Sequence, residues 1–156
     1  MGLLTKKMTI AAPVTGRCAP VNACSDPVFS NKALGDGVVL YPDDGRIVSP
    51  VDGTVIQLSH TLHAFIVQSV QGAQLLVHLG INTVQLEGAP FNPHCKVGQE
   101  VTAGQLLMEV DLAQISAAGL SAETPCILLN GEDFSNLKPH SGEVTAGKTP
   151  VMTLSK

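Results

Sequence analysis

Aromatic residues are scarce in this chain: it has no Trp, one Tyr and four Phe among 156 residues. Its core must therefore be built from Val, Leu and Ile. Basic charge is scarce too, and the formal net charge of −4 argues against nucleic acid or an anionic membrane surface as a partner. No apolar run reaches the roughly 20 residues needed to cross a bilayer, so direct membrane insertion is not expected. Met1–Lys7 lacks the apolar centre of a signal peptide, and Lys6 stands where a myristoylation site wants Ser or Thr. The four cysteines, Cys18, Cys24, Cys95 and Cys126, form neither a C-x-x-C pair nor zinc-ribbon spacing. They read as reduced and structural, which suits the cytosol.

Turn formers, in contrast, are abundant. Ten Pro and 15 Gly fall mostly between runs of four to seven apolar-rich residues, the texture of an all-β antiparallel sandwich or barrel. Pro-x-x-Gly turns recur at Pro13–Gly16, Pro50–Gly53 and Pro139–Gly142. The pentapeptide Glu-Val-Thr-Ala-Gly occurs at Glu100–Gly104 and again at Glu143–Gly147, each time before a strand-like run, which suggests duplicated hairpin units. Two short helical turns are expected, one capped by Ser25-Asp26 with Pro27 at its start. The other runs from Asp111 to a stop at Gly119. No linker divides the chain, so residues 8–156 read as one domain behind an N-terminal extension, residues 1–7.

The most informative stretch is Leu62–Val84. It reads as two strands, Leu62–Gln68 and Ala73–Leu79, joined at Ser69-Val-Gln-Gly72. A four-residue loop places His63 directly opposite His78, and a tighter turn at Gln71-Gly72 makes them diagonal neighbours on one face. A three-residue loop alone sends them to opposite faces. Paired imidazoles repel when charged and so hold each other neutral, the form that attacks phosphorus or binds a metal.

Other motifs carry less. Gly142–Thr149 fits the P-loop pattern letter for letter, but Pro150 follows at once and leaves no room for the helix that would hold phosphates. A metallohydrolase needs a third ligand. His60 lies an odd number of residues from His63, which puts it on the other face of a regular strand, and His94 and His140 could approach only through the fold. A biotinyl-like binding module lacks a lysine at a hairpin tip. The third reading is a phosphohistidine carrier, in which one imidazole accepts a phosphoryl group and its neighbour steadies the charge.

Six stretches, in order, sharpen this: Ser25-Asp-Pro-Val-Phe29, Leu34-Gly-Asp-Gly37, Ser49-Pro-Val-Asp-Gly53, Leu62-His-Ala-Phe65, Val77-His-Leu-Gly-Ile-Asn-Thr-Val84 and Gln99-Glu-Val-Thr-Ala-Gly104. With them the chain resembles, over nearly its whole length, the glucose-type enzyme IIA domain of the phosphoenolpyruvate-dependent sugar phosphotransferase system. The resemblance implies an antiparallel β-sandwich with a shallow active face. His78 would accept a phosphoryl group from the histidine-containing phosphocarrier protein and pass it to the IIB domain of a sugar permease. His63 would steady the phosphoryl oxygens, and Thr61 would orient the histidines through its hydroxyl.

The same resemblance places a partner surface at Asp26, Val28, Phe29, Leu76, Asn82 and Val84. It also implies that no cofactor is needed, that the unphosphorylated form can bind regulated metabolic proteins, and that zinc can bridge His63 and His78 to a partner carboxylate. Two residues depart from the family pattern. Asn82 replaces an Asp, and Ser59 replaces an apolar aromatic.

Overall fold

A computed structural model describes residues 6–156. The start of the chain, read above for a leader or lipid site, lies outside them up to residue 5. Fourteen strands and two short helices follow in order: β1 (Lys7–Ala11), β2 (Gly16–Pro20), α1 (Pro27–Ser30), β3 (Asp36–Pro42), β4 (Arg46–Val48), β5 (Gly53–Leu58), β6 (Ala64–Ser69), β7 (Gln74–His78), β8 (Phe91–Pro93), β9 (Glu100–Val101), β10 (Leu106–Val110), α2 (Leu112–Ala117), β11 (Thr124–Leu128), β12 (Ser135–Pro139), β13 (Gly142–Val144) and β14 (Pro150–Ser155). Every strand pairing is antiparallel. The all-β expectation holds.

The largest sheet has eight strands in the order β13-β2-β3-β11-β7-β6-β5-β9. Two three-stranded sheets, β1-β14-β12 and β4-β10-β8, complete the sandwich. Alternation along the strands decides which residues enter the main core. Phe65 and Val67 from β6, Leu75 and Val77 from β7, and Val38 and Leu40 from β3 all point there and are fully buried. Each such side chain contributes about 1.5–3 kcal/mol through burial.

The central strands are covered on their outer face as well. Val39, Ile127 and partly buried Leu76 pack there with Val21, Cys24, Phe29 and Ile81 into a second, smaller core. This explains why β3 and β11 read as continuous apolar runs rather than alternating ones. Phe29 comes from α1, so the small core holds that helix against the face on which β7 ends.

Both helices begin as the sequence indicates. The Asp26 carboxylate accepts from the Val28 N–H at 2.9 Å, and Asp111 caps α2 by accepting from the Gln114 N–H at 3.2 Å. The repeated pentapeptides form two matching turns. Gly104 donates its N–H to the Ser49 carbonyl and Gly147 donates to the Ala12 carbonyl, each at 2.8 Å. The side chains of Asp52 and Thr15 accept from Ala103 and Ala146 in the same way, at 2.8 and 3.0 Å. The turns meet at their glycines: a Cβ on Gly147 would lie 2.6 Å from the Gly104 Cα.

The P-loop letters fold as the second of these turns. The N–H groups of Lys148 and Thr149 are both spent on the Thr145 carbonyl, at 3.1 Å. They are not free to hold a phosphate. All four cysteines are unpaired thiols, and burial pushes the Cys18 thiol up to about 11.

Candidate functional site

The β6–β7 hairpin sets the site, but not in the register the sequence favours. Gln68 pairs with Gln74 and Ala64 with His78, so the turn is the three-residue Val70-Gln71-Gly72. It is closed by the Ser69 N–H donating to the Ala73 carbonyl at 2.7 Å. Gly72 takes φ +96°, which favours glycine over other residues at that position. In that register a continued strand would send His63 to the core face with Phe65 and Val67.

The histidines meet nonetheless, because His63 lies just outside β6. β5 returns into β6 through a turn in which the Leu62 N–H donates to the Ser59 carbonyl at 2.9 Å. Leu62 itself adopts φ +64°, a left-handed conformation that costs a non-glycine residue about 1–2 kcal/mol. Partial burial of its side chain against the main core offsets that strain. This twist releases His63 from strand alternation, while its carbonyl still accepts from the Leu79 N–H at 2.7 Å. The ring centroids of His63 and His78 stand 5.0 Å apart, edge to face at 77°. The sequence therefore indicates the right pair for the wrong geometric reason.

Each ring is anchored at Nδ1. The Nδ1 of His78, the last residue of β7, lies 2.7 Å from the Gly80 carbonyl oxygen. A carbonyl only accepts, so Nδ1 carries the proton and Nε2 keeps its lone pair. The Nδ1 of His63 lies 2.6 Å from Thr61 Oγ1 and 3.3 Å from Ser59 Oγ. Ser59 Oγ already accepts from the Ala64 N–H at 3.1 Å, which leaves its own proton to donate. Two hydroxyls converging on one nitrogen favour an unprotonated Nδ1 and a proton on Nε2. With the His63 Nδ1 accepting from these hydroxyls, the tautomers of the pair are opposite: a bare Nε2 on His78 and an Nε2–H on His63.

Ser59 is the member of this group that motif reading treats only as a departure. Its position five residues before Ala64, across a hairpin turn, is the signal that could have placed it at His63.

Burial holds both imidazoles below their ordinary 6.5. For His78 burial acts first; the Gly80 bond raises the value, His63 lowers it and Asp26 raises it. Both rings are neutral at pH 7.

Of the other sequence-indicated residues, Phe29 lies against His78. The Phe29 ring stands 5.0 Å from it, tilted by 56°, and is only 5% exposed. Phe29 therefore forms a wall of the site and offers a partner little surface. Val28 and Val84 are 51% and 49% exposed, an unusual display for valine. Asn82 is exposed at φ +61° before the 3-10 turn Thr83–Leu86, and Leu76 lies half-buried on the small core. Asp26 is spent partly on capping α1.

Of the remaining histidines, His60 is exposed in the turn between β5 and β6, and the other two are elsewhere. His94 sits against Glu109, with 2.5 Å between Nε2 and Oε1, and His140 follows β12. Among the described residues no group of three or more His, Cys, Asp or Glu side chains is placed to hold a metal ion. Two broad grooves, of about 630 and 400 Å³, run past Asp52 and Val70 at the turn end of the hairpin. The histidines lie at the opposite end, on an open face that suits a protein surface better than an enclosed small molecule.

Comparison with known proteins agrees with this geometry. Residues 8–134 match the family described as phosphoenolpyruvate-dependent sugar phosphotransferase system, EIIA 1. The chain is 38% identical over 156 residues to the PTS system glucose-specific EIIA component of Bacillus cereus, covering 99% of this chain and 94% of that protein. It is also 38% identical over 148 residues to the PTS system N-acetylglucosamine-specific EIICBA component of Escherichia coli, of which it covers 23%. The solved structure of glucose permease IIA from Mycoplasma capricolum superimposes with a TM-score of 0.88 at 32% identity, covering 98% of this chain and 99% of that one. The chain belongs to the EIIA 1 family of the phosphoenolpyruvate-dependent sugar phosphotransferase system, and it is a phosphohistidine carrier of that system.

Proposed function

We propose that His78 is the residue that carries the phosphoryl group, accepting it on Nε2 from the histidine-containing phosphocarrier protein. The observation that supports this reading is the neutral pair with opposite tautomers, its rings 5.0 Å apart. The His78 lone pair attacks phosphorus as the P–N bond to the donor's ring breaks. The proton stays on His78 Nδ1, donated to the Gly80 carbonyl, so the phosphorylated ring carries positive charge that offsets part of the phosphoryl's negative charge. Because the transition state is loose, alignment and charge stabilisation matter more than covalent assistance. The His63 Nε2–H supplies a donor to a phosphoryl oxygen, and Thr61 and Ser59 keep that proton on Nε2. Onward transfer needs no proton: a cysteine thiolate on the IIB domain of a sugar permease attacks phosphorus, and His78 leaves as a neutral imidazole.

Val28, Val84, Leu76 and Asn82, with the edge of Phe29 and the Asp26 carboxylate, form the docking rim for these partners. The unphosphorylated rim is also the surface that regulated metabolic proteins would use. In such a complex, zinc would take one nitrogen from each histidine, and Thr61 would turn to accept the His63 Nδ1–H. The remaining ligands would come from a partner carboxylate and water, since among the described residues no group of three or more His, Cys, Asp or Glu side chains is placed to hold a metal ion.

The test is labelling from phosphoenolpyruvate through the two general proteins of the system. An acid-labile phosphoryl group is expected on the parent protein and none on His78→Ala. Undiminished label on that variant rejects His78 as the acceptor.

A further inference from the structure

Glu123 stands immediately ahead of β11, and the transfer chemistry described above makes no use of it. Its carboxylate is nevertheless held from several sides. Oε1 accepts from the Ser25 N–H at 2.9 Å. Oε2 accepts from Ser25 Oγ at 2.6 Å and from Ser121 Oγ at 3.0 Å. The Glu123 N–H in turn donates to Ser121 Oγ at 3.1 Å. Burial pushes the carboxyl up, but the bonds from Ser25 and Ser121 outweigh it and hold the group below its ordinary value. It is ionised at neutral pH.

Both segments joined by this side chain bear on His78. Ser25 leads directly into Asp26, the cap of α1, and α1 carries Phe29, whose ring flanks the imidazole. On the other side, the Ser121 carbonyl accepts from the Ile81 N–H at 2.9 Å. That bond steadies the chain just after Gly80, whose carbonyl orients the same imidazole. A four-residue helix cannot hold its own position, since its few internal bonds do not repay the ordering of its backbone. The place of α1 therefore depends on the small core beneath it and on this tether.

We infer that Glu123 is a positioning residue for phosphoryl transfer: by bonding Ser25 and Ser121 together, it fixes the Phe29 ring and the Gly80 carbonyl on either side of His78. The inference rests on the reading of His78 as the phosphoryl acceptor. A carboxylate is suited to the task because it accepts from a backbone N–H and two hydroxyls at once, and each of these bonds is charge-assisted.

The test combines an NMR titration of the histidine rings in the whole protein with the rate of phosphoryl acceptance from the phosphocarrier protein. In Glu123→Ala the His78 midpoint should rise toward 6.5 as Phe29 loosens, while His63 titrates as before. Acceptance at saturating donor should slow by on the order of 10- to 100-fold, the usual consequence of misplacing a reacting group by a fraction of an ångström to an ångström. Glu123→Gln keeps an acceptor for the Ser25 N–H but weakens the bonds from the two hydroxyls, and should fall between the parent and the Ala variant in both measurements. Ser25→Ala removes one bond at an exposed position and should move both in the same direction by less. It also keeps the inference testable if Glu123→Ala fails to fold.

An unchanged His78 titration and rate in the Ala variants would overturn the inference. So would a Gln variant as slow as the Ala variant with its His78 titration unmoved, which would make Glu123 a charge contact for the donor instead. The titration needs no phosphoryl donor, so its outcome is independent of whether His78 is the acceptor; labelling of His78→Ala tests that separately.

Discussion

The Nδ1–H of His78 donates to the carbonyl oxygen of Gly80, two residues further along, across 2.7 Å. The chain can turn back on its own strand end because Gly80 takes φ +88°. A Cβ there would lie 2.5 Å from Thr83 Cγ2 and 3.0 Å from the Ser121 carbonyl oxygen. Gly80→Ala should therefore lose about 1–3 kcal/mol of stability, the usual range for backbone strain that a side chain cannot relieve. Urea unfolding measures this. Phosphoryl acceptance should slow alongside it, because the carbonyl that orients His78 must shift. A variant with unchanged stability and rate would show that the turn is not held by this glycine.

The His63 ring depends on hydroxyls where His78 depends on a carbonyl. Thr61 and Ser59 both approach its Nδ1, at 2.6 and 3.3 Å. Nitrogen NMR at pH 8 should find His63 protonated at Nε2 and His78 protonated at Nδ1. Thr61→Val removes the shorter bond at nearly constant shape, so the His63 tautomers should become mixed. His63→Gln still carries an N–H donor, but not at the same place. It should accept phosphate yet pass it to the permease domain at a reduced rate. Equal transfer by His63→Gln and the parent would reduce His63 to a structural role.

How far the sequence foretold this arrangement differs between the two histidines. Strand alternation and the apolar runs around β6 and β7 identify the hairpin, and turn chemistry marks its loop. The outcome at His63 depends on Leu62, a residue with no propensity for φ +64°, so no local signal announces it. A long-range bond of the Ser25–Glu123 kind is equally invisible, since the partners lie 98 residues apart in sequence. Phe29 fits the family pattern for a contact residue, and only its burial shows that it is a wall of His78. The Asp26 and Asp111 caps, by contrast, are legible because capping is a local matter.

Acid should act on this site in a defined direction. Burial is the main reason that His63 and His78 titrate below the ordinary 6.5. As pH falls below 6.5, an unfolded chain takes up protons that the folded one still refuses. Stability contributed by the neutral pair is thus complete above that value and is lost as pH drops through the folded-state midpoints. Phosphoryl acceptance should follow the same course, since a protonated Nε2 has no lone pair. The rate should be flat from pH 7 to 8 and half-maximal at a pH below 6.5. Phe29→Ala relieves part of the burial and should shift that midpoint upward; a midpoint above 6.5 in the parent would contradict the burial argument.

The rim valines should matter for encounter and not for chemistry. Val28 and Val84 are about half exposed. Replacing both by Ser removes apolar area that a partner would cover, at about 25 cal/mol per Å² buried. The KM for the phosphocarrier protein should rise by about tenfold, equivalent to 1.4 kcal/mol, with kcat unchanged. The His78 titration should not move. A fall in kcat at constant KM would place these valines in the chemical step.

Asn82 offers the complementary experiment. It is exposed at φ +61°, a conformation that Asn and Asp both tolerate because their short polar side chains bond locally. Asn82→Asp should therefore fold as well as the parent while adding one negative charge to the rim. If the partner face is basic, the added charge speeds encounter and lowers KM at low salt. The gain should fade as ionic strength approaches 0.15 M, where screening acts over about 8 Å. Measuring KM for the phosphocarrier protein across a salt series separates this from a change in site geometry, which salt would not erase. A lower KM that persists at high salt would mean that residue 82 acts through packing, and a higher KM at low salt would mean that the partner's face is not basic at this point.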